Sequence, residues 1–238
     1  MHRPIYNNAD AMRREWQGRA ASHRFFALGD SLEKLADFLN IFDVSKAYPE
    51  KWWAETLGCQ KKSCRGKFDF NLGFIRSQMF DLFNDFICYS IPTWEALELI
   101  TEFVGPGKIY EHMAGTGYWA YLLKRRECNI EAFDGWDDTF RIATAKLFTD
   151  VAYADVETAE LPRDATLMLS WVPHGSNAPL RMLGEMASGQ KLIYIADRGC
   201  CGGSDLHRCI DRNFVEVSYY DFPQMLEVGD AMWLYRKV

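Results

Sequence analysis

The chain has 238 residues, 48% of them hydrophobic, which suits one domain or one domain with an appendage. Its net charge of −6 leaves no global positive field for nucleic acid, and seven cysteines, an odd count, exclude a fully paired disulfide framework. No apolar run reaches the roughly 20 residues of a membrane span, and the N-terminal residues lack a signal-peptide core, so the expectation is a cytoplasmic protein with no membrane contact.

Residues 1–88 read as a helical, aromatic-rich N-terminal region that caps the rest and shapes a substrate pocket. After a Ser31 N-cap, Leu32, Leu35, Phe38 and Leu39 fall on one helical face. Asn71 to Ile87 repeats the pattern with Phe74, Met79, Leu82, Phe83 and Phe86. Between them Pro49 to Asp69 is polar and broken by Gly58 and Gly66, and reads as loop. It carries Lys61, Lys62, Arg65 and Lys67, a solvated basic stretch and the one place where nucleic acid or an acidic partner would find a contact. Cys59 and Cys64 have no matching second pair, while Cys200, Cys201, His207 and Cys209 crowd one Gly-rich segment. Structural zinc sites join two separated pairs, so no metal is expected from either group.

Residues 89–238 change rhythm. A helix follows Pro92 with Thr93 near its start, and Gly105-Pro-Gly107 stops it. Strands are predicted at Ile109–Met113, Asn129–Phe133, Val151–Ala154, Thr166–Trp171 and Gln190–Ala196. Helices are predicted at Tyr118–Arg126, Thr139–Thr149, Ala178–Met186 and Leu206–Arg212. Phe214–Phe222 and Ala231–Lys237 then form two strands with no helix between them, which forces an antiparallel pair. The fold class is therefore α/β: a doubly wound, mostly parallel, seven-stranded sheet with a terminal antiparallel hairpin, plus the N-terminal helical region.

The most informative stretch runs Ile109-Tyr-Glu-His-Met-Ala-Gly-Thr-Gly-Tyr-Trp-Ala, a strand, a glycine turn and a helix start. Such a turn lets backbone N–H groups approach a ligand closely. Two patterns fit it. Gly115-x-Gly117-x-x-Ala120, with Asp134 about 20 residues on, matches a dinucleotide fingerprint and an NAD-dependent oxidoreductase. Alternatively Glu111 is the acid of an acidic-x-G-x-G-x-G turn, with Met113 standing where the first glycine is usual. A pyrophosphate beside Glu111 would meet like charge, whereas a sulfonium cation is served by acids and aromatic faces.

On these residues the segment from Tyr89 to Val238 resembles a class I S-adenosylmethionine-dependent methyltransferase. The features that carry the resemblance are Glu111 to Gly117, Asp134, Ala154-Asp155-Val156, Ser170-Trp-Val-Pro173 and the final hairpin. The resemblance implies S-adenosylmethionine as cofactor, with Glu111, Ala114, Gly115 and Gly117 at its methionine part, Asp134 at the ribose, and Asp155 and Val156 at the adenine. Tyr89, Tyr118, Trp119 and Trp171 are candidate aromatic faces for the sulfonium, with simple core packing as the alternative for Trp119 and Trp171. His174, in the turn after the fourth strand, is the candidate general base, with an ordinary loop histidine as the alternative, and His112 reads as a core histidine with satisfied ring nitrogens. The Ser-Trp-Val-Pro-His run is not the Asx-Pro-Pro-aromatic motif of base-methylating enzymes, so the expected acceptor is a small molecule or a protein side chain. A third reading keeps the fold without catalysis, as a cofactor-binding or interaction protein, with Met113 as its mark.

Overall fold

A computed structural model describes residues 14–15, 17–18, 37–61, 81–135, 147–155, 158–224 and 229–238. Its elements in chain order are α1 (Glu50–Leu57), β1 (Gln60–Lys61), α2 (Trp94–Val104), β2 (Lys108–His112), α3 (Tyr118–Lys124), β3 (Asn129–Asp134), β4 (Val151–Tyr153) and β5 (Thr166–Ser170). There follow α4 (Ala178–Glu185), β6 (Lys191–Ala196), α5 (Ser204–Asn213), β7 (Phe214–Asp221), β8 (Pro223–Gln224) and β9 (Ala231–Lys237). Residues 37–41 and 81–86 are also helical.

Seven strands form one sheet in the order β4-β3-β2-β5-β6-β9-β7. The first five are parallel, while β9 pairs antiparallel with both β6 and β7. This is the doubly wound sheet with a terminal antiparallel pair that the resemblance implies. Strand order reverses between β2 and β5, and ligands in such sheets bind beyond the C-terminal strand ends at that point. The glycine turn leaves β2 there.

Strands β5 and β6 read as continuous apolar runs because both their faces are covered. Met168, Ile193 and Ile195 join a core with the N-terminal Phe38, Phe42, Trp53 and Phe83, with α2 and with α3. Leu167, Leu169, Leu192 and Tyr194 face the other way, onto Met182 and Leu183 of α4 and Ile210 of α5. One apolar cluster thus runs from the N-terminal helices into the sheet, and β1 pairs with β8 through Gln60 and Gln224.

The loop expected from Pro49 onward is instead helical at Glu50–Leu57. Pro49 supplies an extended entry, Gly58 stops the helix in the left-handed region at φ 60°, and Trp53 and Leu57, four apart, bury one side. Charged Lys51 and Glu55 on the outer face gave the segment its polar look. The Thr93 cap stands, its Oγ1 accepting the Ala96 N–H at 3.2 Å. The Ser31 cap, the first half of the Asn71 helix, most of the Thr139 helix and, apart from the backbone of Lys61, the basic stretch lie outside the described residues.

Candidate functional site

The end of β2 sets the site. Side chains alternate along a strand, so Glu111 and His112 face opposite sides of the sheet. Glu111 is 1% exposed and its Oε2 accepts the Ala120 N–H of α3 at 3.1 Å. That contact ties the strand end to the first turn of the helix beyond the glycines. Burial pushes the Glu111 carboxyl up to about 8, with Asp134 adding repulsion.

The turn is left-handed at three residues. Gly115 has φ 54° and Gly117 φ 70°, and Met113 takes φ 58°, the backbone path a glycine would follow there. Met113 packs its side chain against the apolar cluster under α4 and α5. Ala114 N–H donates to Phe133 O at 3.0 Å, and Gly115 N–H donates to Asp134 Oδ2 at 2.8 Å. The Asp134 carboxylate at the end of β3 therefore braces the turn as well as facing it. Among the described residues a Cβ at Gly115 would meet nothing within 4 Å, so they leave this face of the turn open. A Cβ at Gly117 would stand 2.7 Å from Val151 Cγ2 and 3.0 Å from Thr149 Cγ2, so β4 closes on that glycine. Thr116 Oγ1 donates to Ile87 O, joining the turn to the segment that precedes Tyr89.

Tyr89 and Trp171 meet as a stacked pair, ring centroids 5.2 Å apart and planes 17° apart. Trp171 follows β5 with φ 51°, and its Nε1 donates to Asp230 Oδ1 at 2.8 Å. Trp119 is a core residue: it packs edge-on to Phe222, and its Nε1 donates to Ser90 Oγ at 3.2 Å. Tyr118 is likewise buried in the core beside Phe148. Asp155 is exposed beyond β4, whose next residue, Ala154, donates its N–H to Asp134 O at 3.1 Å. Val156 lies outside the described residues. His174 is exposed, with Gly203 and His207 of the segment after β6 as neighbours.

Tyr89, Glu111, Ala114, Gly115, Gly117, Asp134 and Trp171 thus gather at the C-terminal ends of β2, β3 and β5. Asp230 is an addition that reading the sequence missed. It is 7% exposed, and burial pushes its carboxyl up to about 8. Its position immediately before an antiparallel strand was the available signal, since such a strand starts where its parallel neighbours end. His112 also corrects an expectation: it is 2% exposed and stacked on Phe133, yet neither ring nitrogen has a hydrogen-bond partner among the described residues. Among the described residues, no three His, Cys, Asp or Glu side chains are grouped to hold a metal ion, and no helix is long and apolar enough to cross a membrane.

No protein-family model and no curated protein matches the chain. Among solved structures it is similar to the N-methyltransferase NodS from Bradyrhizobium japonicum, crystallised with S-adenosyl-L-homocysteine, at 14% identity over 60% of this chain and 86% of that one, with a TM-score of 0.43. TehB from Haemophilus influenzae is similar at 12% identity over 67% of each chain, with a TM-score of 0.42. A SAM-dependent O-methyltransferase from Thermotoga maritima is similar at 13% identity over 63% of this chain and 67% of that one, also at 0.42.

Proposed function

We propose that the chain binds S-adenosylmethionine on the 111–117 turn and transfers its methyl group to a small molecule or a protein side chain. The observation that carries this reading is the open left-handed turn at Gly115, its N–H drawn to Asp134 and a buried glutamic acid behind it. The Asp134 carboxylate beside the turn suits a ligand with cationic groups and a ribose diol, and the largely protonated Glu111 behind it adds hydrogen-bonding capacity. It suits a pyrophosphate poorly, which disfavours the nicotinamide reading.

On this proposal Glu111 and the backbone from Ala114 to Gly117 hold the methionine part, Asp134 the ribose hydroxyls, and Asp155 with Val156 the adenine. Tyr89 and Trp171 offer aromatic faces to the sulfonium. The cofactor supplies an activated methyl group. Transfer is an in-line displacement, for which alignment of the acceptor supplies much of the rate, and no step is assigned to His174.

Thermal denaturation with added ligand tests the proposal. S-adenosyl-L-homocysteine at about 100 times its Kd stabilises the folded protein by about 2.7 kcal/mol, and NAD does not. Asp134→Asn keeps an oxygen for the Gly115 N–H but loses the carboxylate, and the shift shrinks. A shift with NAD and none with S-adenosyl-L-homocysteine would reverse the assignment.

A further inference from the structure

Strand β9 runs against β6, with Ala231 opposite Ala196. Asp230, just before β9, therefore lies at the end of the sheet where the glycine turn opens. Several polar contacts fix it there. The Gln224 side chain accepts the Asp230 N–H at 3.1 Å and donates to its carbonyl at 2.8 Å. The preceding Gly229 N–H donates to Asp197 Oδ2 at 2.6 Å. Trp171 then reaches Asp230 with its indole N–H while resting its ring on Tyr89. Burying a carboxyl is costly, and nothing in the strand pairing needs this one.

We infer that Asp230, with the Trp171–Tyr89 pair, forms the acceptor subsite and that the acceptor is an amine, an inference that rests on the methyl-transfer reading above. Aromatic faces beside a carboxylate form a setting for an amino group in either charge state. An alcohol needs a strong base to become nucleophilic, whereas an amine reacts through its own lone pair once it is in the free-base form. In the step, the amine nitrogen forms a bond to the methyl carbon as the carbon–sulfur bond breaks. The bonding pair goes to sulfur, leaving a neutral thioether, and the methylated nitrogen loses one N–H proton to solvent while the Asp230 side chain hydrogen-bonds it.

The test uses the full chain saturated with S-adenosyl-L-homocysteine and two probes of one shape, phenethylamine and phenethyl alcohol, titrated in turn. The expected result is binding of the amine tighter by about tenfold or more, and loss of that preference in Asp230→Asn, which keeps an oxygen for the Trp171 N–H. Equal affinities in the wild-type protein, or a preference that survives in the variant, would overturn the inference. The wild-type comparison decides it even if the variant fails to fold. Failure of S-adenosyl-L-homocysteine itself to bind would sink the methyl-transfer reading. Binding without amine preference would sink this inference alone.

Discussion

His112 and Met113 sit side by side at the end of β2, and each runs against the usual rules for its place. His112 carries two buried ring nitrogens with no hydrogen-bond partner among the described residues, and burial with the nearby Arg181 holds its pKa down at about 4. A buried polar group without a partner costs on the order of 1–3 kcal/mol. His112→Leu fills a similar volume without that cost, so it is expected to stabilise the fold by about 1 kcal/mol after loss of the Phe133 stack. A lowered melting temperature in that variant would contradict this account of the site. Met113 holds a left-handed backbone that disfavours side chains by about 1–2 kcal/mol, while its side chain gains packing against the core. Met113→Gly relieves the first and forfeits the second, so stability stays within about 1 kcal/mol. The backbone path is unchanged, and cofactor affinity is expected to hold within about threefold. Binding that appears only in the glycine variant would favour the non-catalytic reading.

The turn is the element on which the site depends, and its two glycines have separable duties. Gly117→Ala drives a Cβ into Val151 and Thr149 at a positive φ, and is expected to cost about 2–4 kcal/mol, read as a loss of melting temperature. Gly115→Ala meets open space among the described residues, so it costs only about 1–2 kcal/mol of backbone strain while placing a methyl group where the ligand passes. Equal loss of stability in the two variants would contradict that division. How legible an element was in the sequence follows the same physics. The fully buried β5 and β6 were plain because a strand covered on both faces is apolar throughout. The turn was plain because glycine spacing maps directly onto left-handed backbone. Helix α1 was hidden because two buried residues, Trp53 and Leu57, are a thin stripe among charged neighbours. The stack of Tyr89 on Trp171 and the bond of Trp171 to Asp230 join residues distant in sequence, which no local pattern encodes.

For the whole molecule, the buried acids and histidines give stability a defined dependence on pH. Glu111 and Asp230 rise from 4.5 and 3.8 to about 8, so the folded protein holds their protons more tightly than the unfolded chain. Their contribution is fully present below the ordinary carboxylate range and is lost as pH rises through about 8. His112 and His207 are shifted the other way, so stability gains from them as pH rises towards 6.5 and no further. Above that point the acids lead the fall, by at most about 1.4 kcal/mol per pH unit for each, and the buried thiols of Cys88 and Cys201, also pushed up, add to it as pH nears 9. Glu111→Gln flattens the fall, and melting curves between pH 6.5 and 9 check it; a wild-type stability that rises over that interval would contradict the burial of these acids.

The central claim is that the opening at Gly115 holds S-adenosylmethionine, and a calorimetric titration with S-adenosyl-L-homocysteine tests it most directly. The account predicts saturable one-to-one binding to the wild-type chain, weakened by about tenfold or more in a folded Gly115→Ala variant. No heat of binding at ligand on the order of millimolar, or equal affinity in the two proteins, would contradict it.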